Sequence, residues 1–148
     1  MLLDTNVLVY AYDRRDASRR DAAIALLRVL VHVGDVAVSA QVLGEFFWTV
    51  SRNIPDPLTA AQAGEEVRRH ARTWQVVSLS SETVRAAAQA AVRYGLPYWD
   101  ALIWAAAKLA GIPVVLSEDF QDGREIEGVT FQNPFLVAAT ATGAPLRQ

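Results

Sequence analysis

Met1-Leu2-Leu3-Asp4-Thr5-Asn6-Val7-Leu8 opens the chain, and this stretch decides the fold class that the sequence predicts. Its three apolar residues indicate a short buried strand that ends at Asp4. From Thr5 onward the apolar residues recur at helical spacing, with Val7, Leu8 and Ala11 on one side. A buried strand followed directly by a helix is typical of α/β domains with a parallel sheet.

The same alternation of short apolar runs and helical stretches continues along the chain. Strands are expected over 1–3, 36–38, 75–79 and 112–116, with a fifth at 129–131. Helices are expected from residue 5 and over 18–33, 40–53, 58–72, 81–94 and 99–110. The pattern predicts an α/β protein with a central parallel sheet of four to five strands. With 148 residues and no linker, we expect a single domain over 1–148, with a less ordered tail after about 136.

Composition limits the kind of site that the chain can build. Cysteine is absent, which excludes disulfides and thiolate metal sites, and the only histidines are His32 and His70. A zinc site rich in histidine is therefore disfavoured, we assign the two histidines no role, and any metal would be held by oxygen. The net charge of −2 argues against a general nucleic-acid coat protein, but not against a nuclease with its acids in one cleft.

Neither a secretory leader nor a membrane span is indicated. Asp4 stands where a signal peptide carries basic residues. No uncharged apolar run reaches the roughly 18 residues that a membrane span needs. We therefore expect a soluble, cytoplasmic protein without a membrane partner.

Four acids stand at positions that packing alone does not explain. Asp4 and Asp119 closely follow apolar strands, and ligands of open parallel sheets bind beyond the carboxyl ends of the strands. Glu45 lies in an apolar helix beside Phe46, and Asp100 opens a helix whose next seven residues carry no charge. Buried carboxylates that converge need a cation, and oxygen ligands favour Mg²⁺ or Mn²⁺.

Each acid also has an ordinary structural explanation. Asp4 can cap the helix that follows it, Asp100 can face the dipole of its own helix, and Asp119 can be a turn residue. Glu45 is the hardest to explain in this way, because a carboxylate beside phenylalanine gains nothing from packing. The four positions together therefore carry more weight than any one of them.

The segments that hold these acids resemble the motifs of PIN-domain nucleases, in particular the VapC-like toxins of bacterial toxin–antitoxin pairs. The resemblance extends along almost the whole chain. It is carried by residues 4–10 (DTNVLVY), 39–45 (SAQVLGE), 98–103 (YWDALI), 116–123 (LSEDFQDG) and 133–135 (NPF). It implies a PIN-like three-layer α/β/α sandwich.

Carried over residue by residue, the resemblance implies a catalytic and metal-binding quartet of Asp4, Glu45, Asp100 and Asp119. The quartet would bind one or two Mg²⁺ or Mn²⁺ ions. Thr5 and Asn6 would orient the first carboxylate, and Ser117 would support the waters of the metal. The implied function is an endoribonuclease that hydrolyses RNA phosphodiesters as the toxin of a toxin–antitoxin pair. The implied partners are a VapB-like antitoxin, which lays a segment over the cleft, and a second copy in a homodimer.

The substrate contacts are left open by the sequence. Arg14, Arg15, Arg19 and Arg20 can meet phosphates near the cleft, but a solvated helix start with its arginines paired to nearby acids is favoured. Tyr98 and Trp99 can stack on bases, although aromatic residues beside an apolar helix more often belong to the core. Asp122 can assist at the site or be a solvated loop acid.

Three other functions compete with the toxin interpretation. A PIN-domain nuclease can process RNA without acting as a toxin. A Mg²⁺-dependent phosphatase with a nucleophilic aspartate is disfavoured, because Asn6 stands where such enzymes have a second acid. A non-catalytic binding module is disfavoured because all four acids are present.

Overall fold

A six-stranded sheet forms the centre of the computed structural model, which describes residues 1–136. Its strands are β1 (Leu2–Leu3), β2 (Ala37–Ser39), β3 (Gln75–Val77), β4 (Val114–Leu116), β5 (Glu125–Ile126) and β6 (Val129–Gln132). They are ordered β3-β2-β1-β4-β6-β5, and all neighbours are parallel except the β5–β6 pair. The less ordered tail expected after residue 136 lies outside this range.

Helices follow the strands as a βα pattern requires. They are α1 (Thr5–Val9), α2 (Ala17–Leu30), α3 (Ala40–Arg52), α4 (Ala60–Thr73), α5 (Ser81–Tyr94) and α6 (Tyr98–Leu109). Helices α1 to α4 form one packed group and α5 packs on α6, so that the sheet is flanked by helices. The predicted α/β class with a mostly parallel central sheet is confirmed.

The core lies where the two central strands meet the helices. Leu2 and Leu3 of β1 are fully buried, as expected for a strand with neighbours on both sides. Residues 101–107 of α6 are all buried, which explains why this run carries no charge. Beyond β1, the Asp4 amide donates to the Leu116 carbonyl of β4 at 2.9 Å, which brings the carboxyl ends of the two strands side by side.

The sheet has one strand more than the four to five expected. The strand that the sequence pattern missed is β5, which has only two residues and pairs antiparallel with β6. Glu127 and Gly128 join the two strands with φ values of 48° and 82°. Positive φ at both central residues is typical of the type I′ hairpin turn, and Gly128 adopts it without strain.

Candidate active site

The first acid of the site is buried between the two central strands. Asp4 is 4% exposed and is the N-cap of α1, where its Oδ1 accepts a hydrogen bond from the Thr5 amide at 2.6 Å. Its Oδ2 accepts from the Ser117 hydroxyl at 2.6 Å, just beyond β4. Asp4 is therefore both a helix cap, as its ordinary explanation holds, and a carboxylate fixed at the sheet edge where ligands bind.

Asn6 connects this carboxylate to the acid at the far end of the chain. Its Nδ2 lies 2.9 Å from Asp119 Oδ2 and 3.3 Å from Asp4 Oδ2. The Asp119 amide donates to the Ser117 hydroxyl at 3.1 Å, which fixes the turn after β4. An uncharged donor thus separates two carboxylates that repel each other.

Glu45 is held from two sides. The Thr5 hydroxyl donates to Glu45 Oε2 at 2.6 Å, and Gln41 Nε2 donates to Glu45 Oε1 at 2.8 Å. Gln41 is 8% exposed, and its Nε2 also lies 3.2 Å from the Trp99 carbonyl. Sequence analysis missed Gln41, although its spacing of four residues from Glu45 on α3 already puts both side chains on one face.

Asp100 completes the cluster from the first turn of α6. Its side chain is half-buried, and its pKa is raised by burial first and then by the charges of Asp119 and Glu45. Burial likewise raises the pKa of Asp4 to about 7, with smaller increments from the same two acids and opposing effects of the hydrogen bonds from Ser117 and Thr5. The structure therefore brings the four predicted acids into one electrostatically connected cluster.

The oxygen ligands of this cluster suit a hard divalent cation, but the hydrogen bonds of the carboxylates hold them apart. Within residues 1–136, no three acidic or histidine side chains are arranged so that they could hold a metal ion together. Mg²⁺ commonly uses one or two carboxylates and keeps several waters. Two buried amide oxygens at the site, Asn6 Oδ1 and Gln41 Oε1, have no hydrogen-bond partner. Each of these oxygens can accept a hydrogen bond from a water that such an ion carries.

The arginines that follow the first motif all have acidic partners. Arg15 forms a bidentate pair with Asp13, and Arg14 and Arg20 pair with exposed acids, Asp56 and Asp21. The favoured explanation was a solvated helix start paired with Asp13, Asp16 and Asp21. The pairs of Arg15 and Arg20 agree with it, whereas Asp56 is a partner of Arg14 that it did not predict. Arg19 differs, because its guanidinium lies 3.2 Å from the carboxylate of Glu118, the residue before Asp119.

The aromatic pair before Asp100 lies outside the core. Trp99 is 62% exposed and Tyr98 is 37% exposed, with ring centroids 5.2 Å apart in an edge contact. The preference for a core position was therefore wrong for both residues. Leu96 before these two residues and residues 101–107 after them are buried, whereas the two rings at the start of α6 face solvent.

The remaining candidates have structural surroundings of their own. Asp122 accepts from the Asn133 amide at 2.8 Å and so anchors the Asn133-Pro134-Phe135 segment, whose phenylalanine packs edge-on against Tyr10. His70 is 7% exposed and lies edge-on to Phe46, whereas His32 is exposed.

In the described part of the chain, no helix is both long enough and apolar enough to span a bilayer.

Comparison with known proteins agrees with this fold. Residues 1–122 match the family model of the PIN domain. A toxin–antitoxin complex from Klebsiella pneumoniae has a similar structure, with a TM-score of 0.65 and 20% identity over 90% of this chain and 96% of that chain. The sarcin-ricin loop cleaving toxin VapC20 of Mycobacterium tuberculosis has a TM-score of 0.65 and 23% identity over 80% and 90%. VapBC2 from Rickettsia felis, bound to a fragment of its promoter DNA, has a TM-score of 0.63 and 18% identity over 89% and 96%. A comparison with curated protein sequences gives no match.

Proposed function

The chain belongs to the PIN domain family, and from this premise we propose that it is a divalent-metal-dependent endoribonuclease. One observation supports the proposal above all others. The hydrogen bonds of Thr5, Asn6 and Ser117 join Asp4, Glu45 and Asp119 into one network, and Asp100 is coupled to that network by charge. Asp4 is buried, Glu45 and Asp100 are half-buried and Asp119 is exposed, and the mutual repulsion of their charges costs free energy that a divalent cation would recover.

Each acid has a role in this proposal. Asp4, Asp100, Asp119 and Glu45 hold one or two Mg²⁺ or Mn²⁺ ions, with waters filling the positions that the carboxylates leave open. When bound, such an ion polarises the phosphodiester and activates water as the nucleophile. The carboxylates of the cluster supply a proton acceptor for that water.

Neighbouring side chains hold these acids in place. Thr5 and Gln41 each donate to one oxygen of Glu45, and these two bonds orient the carboxylate. Ser117 and the Thr5 amide do the same for Asp4. A site whose donors and acceptors are fixed before the substrate arrives loses little free energy to reorganisation.

Conservative replacements of the acids test the nuclease assignment. Asp4→Asn and Asp100→Asn keep the shape of the side chain and remove its charge, so we expect each to abolish cleavage of total RNA in Mg²⁺ or Mn²⁺ while the fold remains intact. Asp56→Asn is the matched control, because Asp56 is an exposed acid with φ of 52°, a conformation that Asn also tolerates. Sequencing the new 5′ ends identifies the cleavage sites. A wild-type chain that cleaves no RNA, or a fully active Asp4 or Asp100 variant, would contradict the proposal.

The toxin role is the second part of the proposal. It is supported by the similarity of the fold to toxin–antitoxin complexes. By this proposal a VapB-like antitoxin covers the acidic cleft, and the chain forms a homodimer. Expression should arrest growth, and co-expression of a small protein encoded beside it should relieve the arrest. RNA cleavage by the purified chain without growth arrest would instead favour the RNA-processing nuclease.

A further inference from the structure

Trp99 differs from the other tryptophans of the chain in its surroundings. Trp74 and Trp104 are buried, at 7% and 5% exposure. Trp48 is exposed, but the guanidinium of Arg52 lies 3.9 Å from the centroid of its ring. Within residues 1–136, the only ring contact of Trp99 is the edge contact with Tyr98. Trp99 thus offers a large aromatic surface to solvent, without the stabilisation that burial would give.

The backbone that carries this indole is tied to the acidic cluster. The Trp99 carbonyl accepts a hydrogen bond from Gln41 Nε2, the same atom that donates to Glu45. The next residue along the chain is Asp100. Pro97, with φ of −53°, is the N-cap of α6 and stiffens the entry to the helix. The backbone that carries the exposed ring is therefore tied through Gln41 to Glu45 and is followed directly by Asp100.

A nucleic acid brings two kinds of group to this place. Its phosphate needs a cation in order to approach the acids, because the cluster is negative. Its bases are flat and uncharged, and they stack on aromatic rings whatever their sequence. A nucleotide whose phosphate lies at the acids has its base one sugar away, so an aromatic surface next to Asp100 can receive it.

We propose that Trp99, with Tyr98 at its edge, is the stacking platform for an unpaired nucleobase next to the scissile phosphate. The inference rests on the proposed ribonuclease function and deepens it, because it assigns the recognition of an unpaired base to one named side chain. Bases in an RNA duplex stack on one another and cannot lend a face to the indole. Trp99 is a specificity-determining residue in this assignment and takes no part in the bond cleavage.

The test compares Trp99→Ala, Trp99→Phe and Trp48→Ala on a single-stranded RNA that the wild-type chain cleaves. Loss of one base–aromatic stack should lower kcat/KM by about 5- to 150-fold in Trp99→Ala. Trp99→Phe keeps a ring and should retain most of the activity. Trp48→Ala removes an equally exposed indole from α3 and should leave the activity unchanged.

A second substrate separates stacking from a structural effect. In it, the bases on both sides of the scissile phosphate are replaced by base-less ribose. Wild type should lose activity on this RNA, and Trp99→Ala should lose no more, because the stack is already absent. An equal loss by Trp99→Ala on both RNAs would overturn the proposal, as would wild-type activity of Trp99→Ala on the intact RNA.

Binding measurements keep this test distinct from that of the proposed function. The affinity for a mixed-sequence single-stranded RNA, measured by fluorescence anisotropy in Ca²⁺, should fall by the same factor in Trp99→Ala even if no cleavage is observed. Absence of cleavage by wild type would count against the nuclease alone. A Trp99→Ala variant that binds the RNA normally but loses a protein partner would overturn the stacking role and make this surface a protein contact.

Discussion

Asn6 and Asp119 are joined by a hydrogen bond of 2.9 Å although 113 residues separate them in the chain. The same Asn6 amide lies 3.3 Å from Asp4, so one neutral donor serves carboxylates from both ends of the fold. Its position between two negative groups explains why an amide, and not a further acid, stands at residue 6.

Asn6→Asp and Asn6→Ala should therefore differ in stability, and the size of the difference should depend on whether a metal ion is bound. Asn6→Ala removes the donor that Asp119 and Asp4 share and should lower the free energy of unfolding by about 1 kcal/mol, because Asp4 keeps its bond from Ser117 and Asp119 is exposed to water. Asn6→Asp adds a negative charge as well and should be the less stable of the two in EDTA. Mn²⁺ should reduce the difference in stability between the two variants, because a cation offsets the added negative charge. Urea unfolding with EDTA or Mn²⁺ measures both effects, and equal stability of the two variants in EDTA would contradict the prediction.

The pKa of Asp4 predicts a pH dependence of stability in the metal-free protein. Burial raises this pKa from its usual 3.8 to about 7 in the folded chain, so the folded state binds the proton more tightly than the unfolded state. The free energy of unfolding should therefore fall as the pH rises from about 4 to about 7 and level off above that range. Urea unfolding across this range measures the trend. Asp4→Asn should reduce the slope and Asp56→Asn should not; a smaller trend of the same sign remains from Asp100, whose pKa is also raised by burial. An unchanged slope in Asp4→Asn would assign the whole trend to other groups.

The hydrogen bond from Thr5 that helps to hold Glu45 in place can be tested with an isosteric change. Thr5→Val removes the hydroxyl that donates to Glu45 at 2.6 Å and keeps the shape of the side chain. We expect a loss of about 10- to 100-fold in metal affinity or in kcat/KM, which is typical when a residue that orients a metal ligand is changed. Thr73→Val is the control, because its hydroxyl donates to the Arg69 carbonyl on α4. Similar losses in the two variants would show that the effect is not specific to the site.

Arg19 is the arginine with the clearest case for a contact with RNA phosphate. It pairs with Glu118 beside Asp119, and because the Arg19 side chain is 43% exposed, its guanidinium is accessible to a phosphate at the site. Arg19→Ala should weaken binding of single-stranded RNA and reduce the slope of log K against log salt by roughly 0.7, the value for one phosphate contact. Arg68→Ala breaks a comparable pair on α4 and should leave the slope unchanged. An unchanged slope in Arg19→Ala would return Arg19 to a purely structural role.

Much of the fold was predictable because local patterns and tertiary packing agree. The opening residues read as a buried strand and then a helix, and β1 and α1 form in those places. The charge-free run after Asp100 predicted a buried helix for the same reason. The helix expected over 18–33 ends instead at Leu30, with Val31 as its C-cap, and the stripe predicted to continue to Val33 is exposed there. Strand β5 has too few residues to carry a pattern of its own.

The sequence indicated the four acids and the neutral donors Thr5, Asn6 and Ser117 as candidates for the site, but it did not indicate Gln41. Acids in apolar surroundings stand out in a sequence, because burying them is costly. Gln41 does not stand out, since a glutamine in a helix is usually solvated, and its role depends on the Trp99 carbonyl 58 residues away. The exposure of Trp99 was unpredictable for a related reason. Apolar spacing identifies which residues can be buried, whereas the neighbouring elements decide which of them are covered.

The hydrogen bond from Ser117 to Asp4 joins residues that are 113 positions apart in the chain, and this separation has a consequence for protein synthesis. During synthesis, Asp4 leaves the ribosome 113 residues before Ser117 does. Until β4 and the residues after it emerge, the carboxylates have no common pocket. The acidic cluster can therefore assemble only after the residues on both sides of this bond have been synthesised.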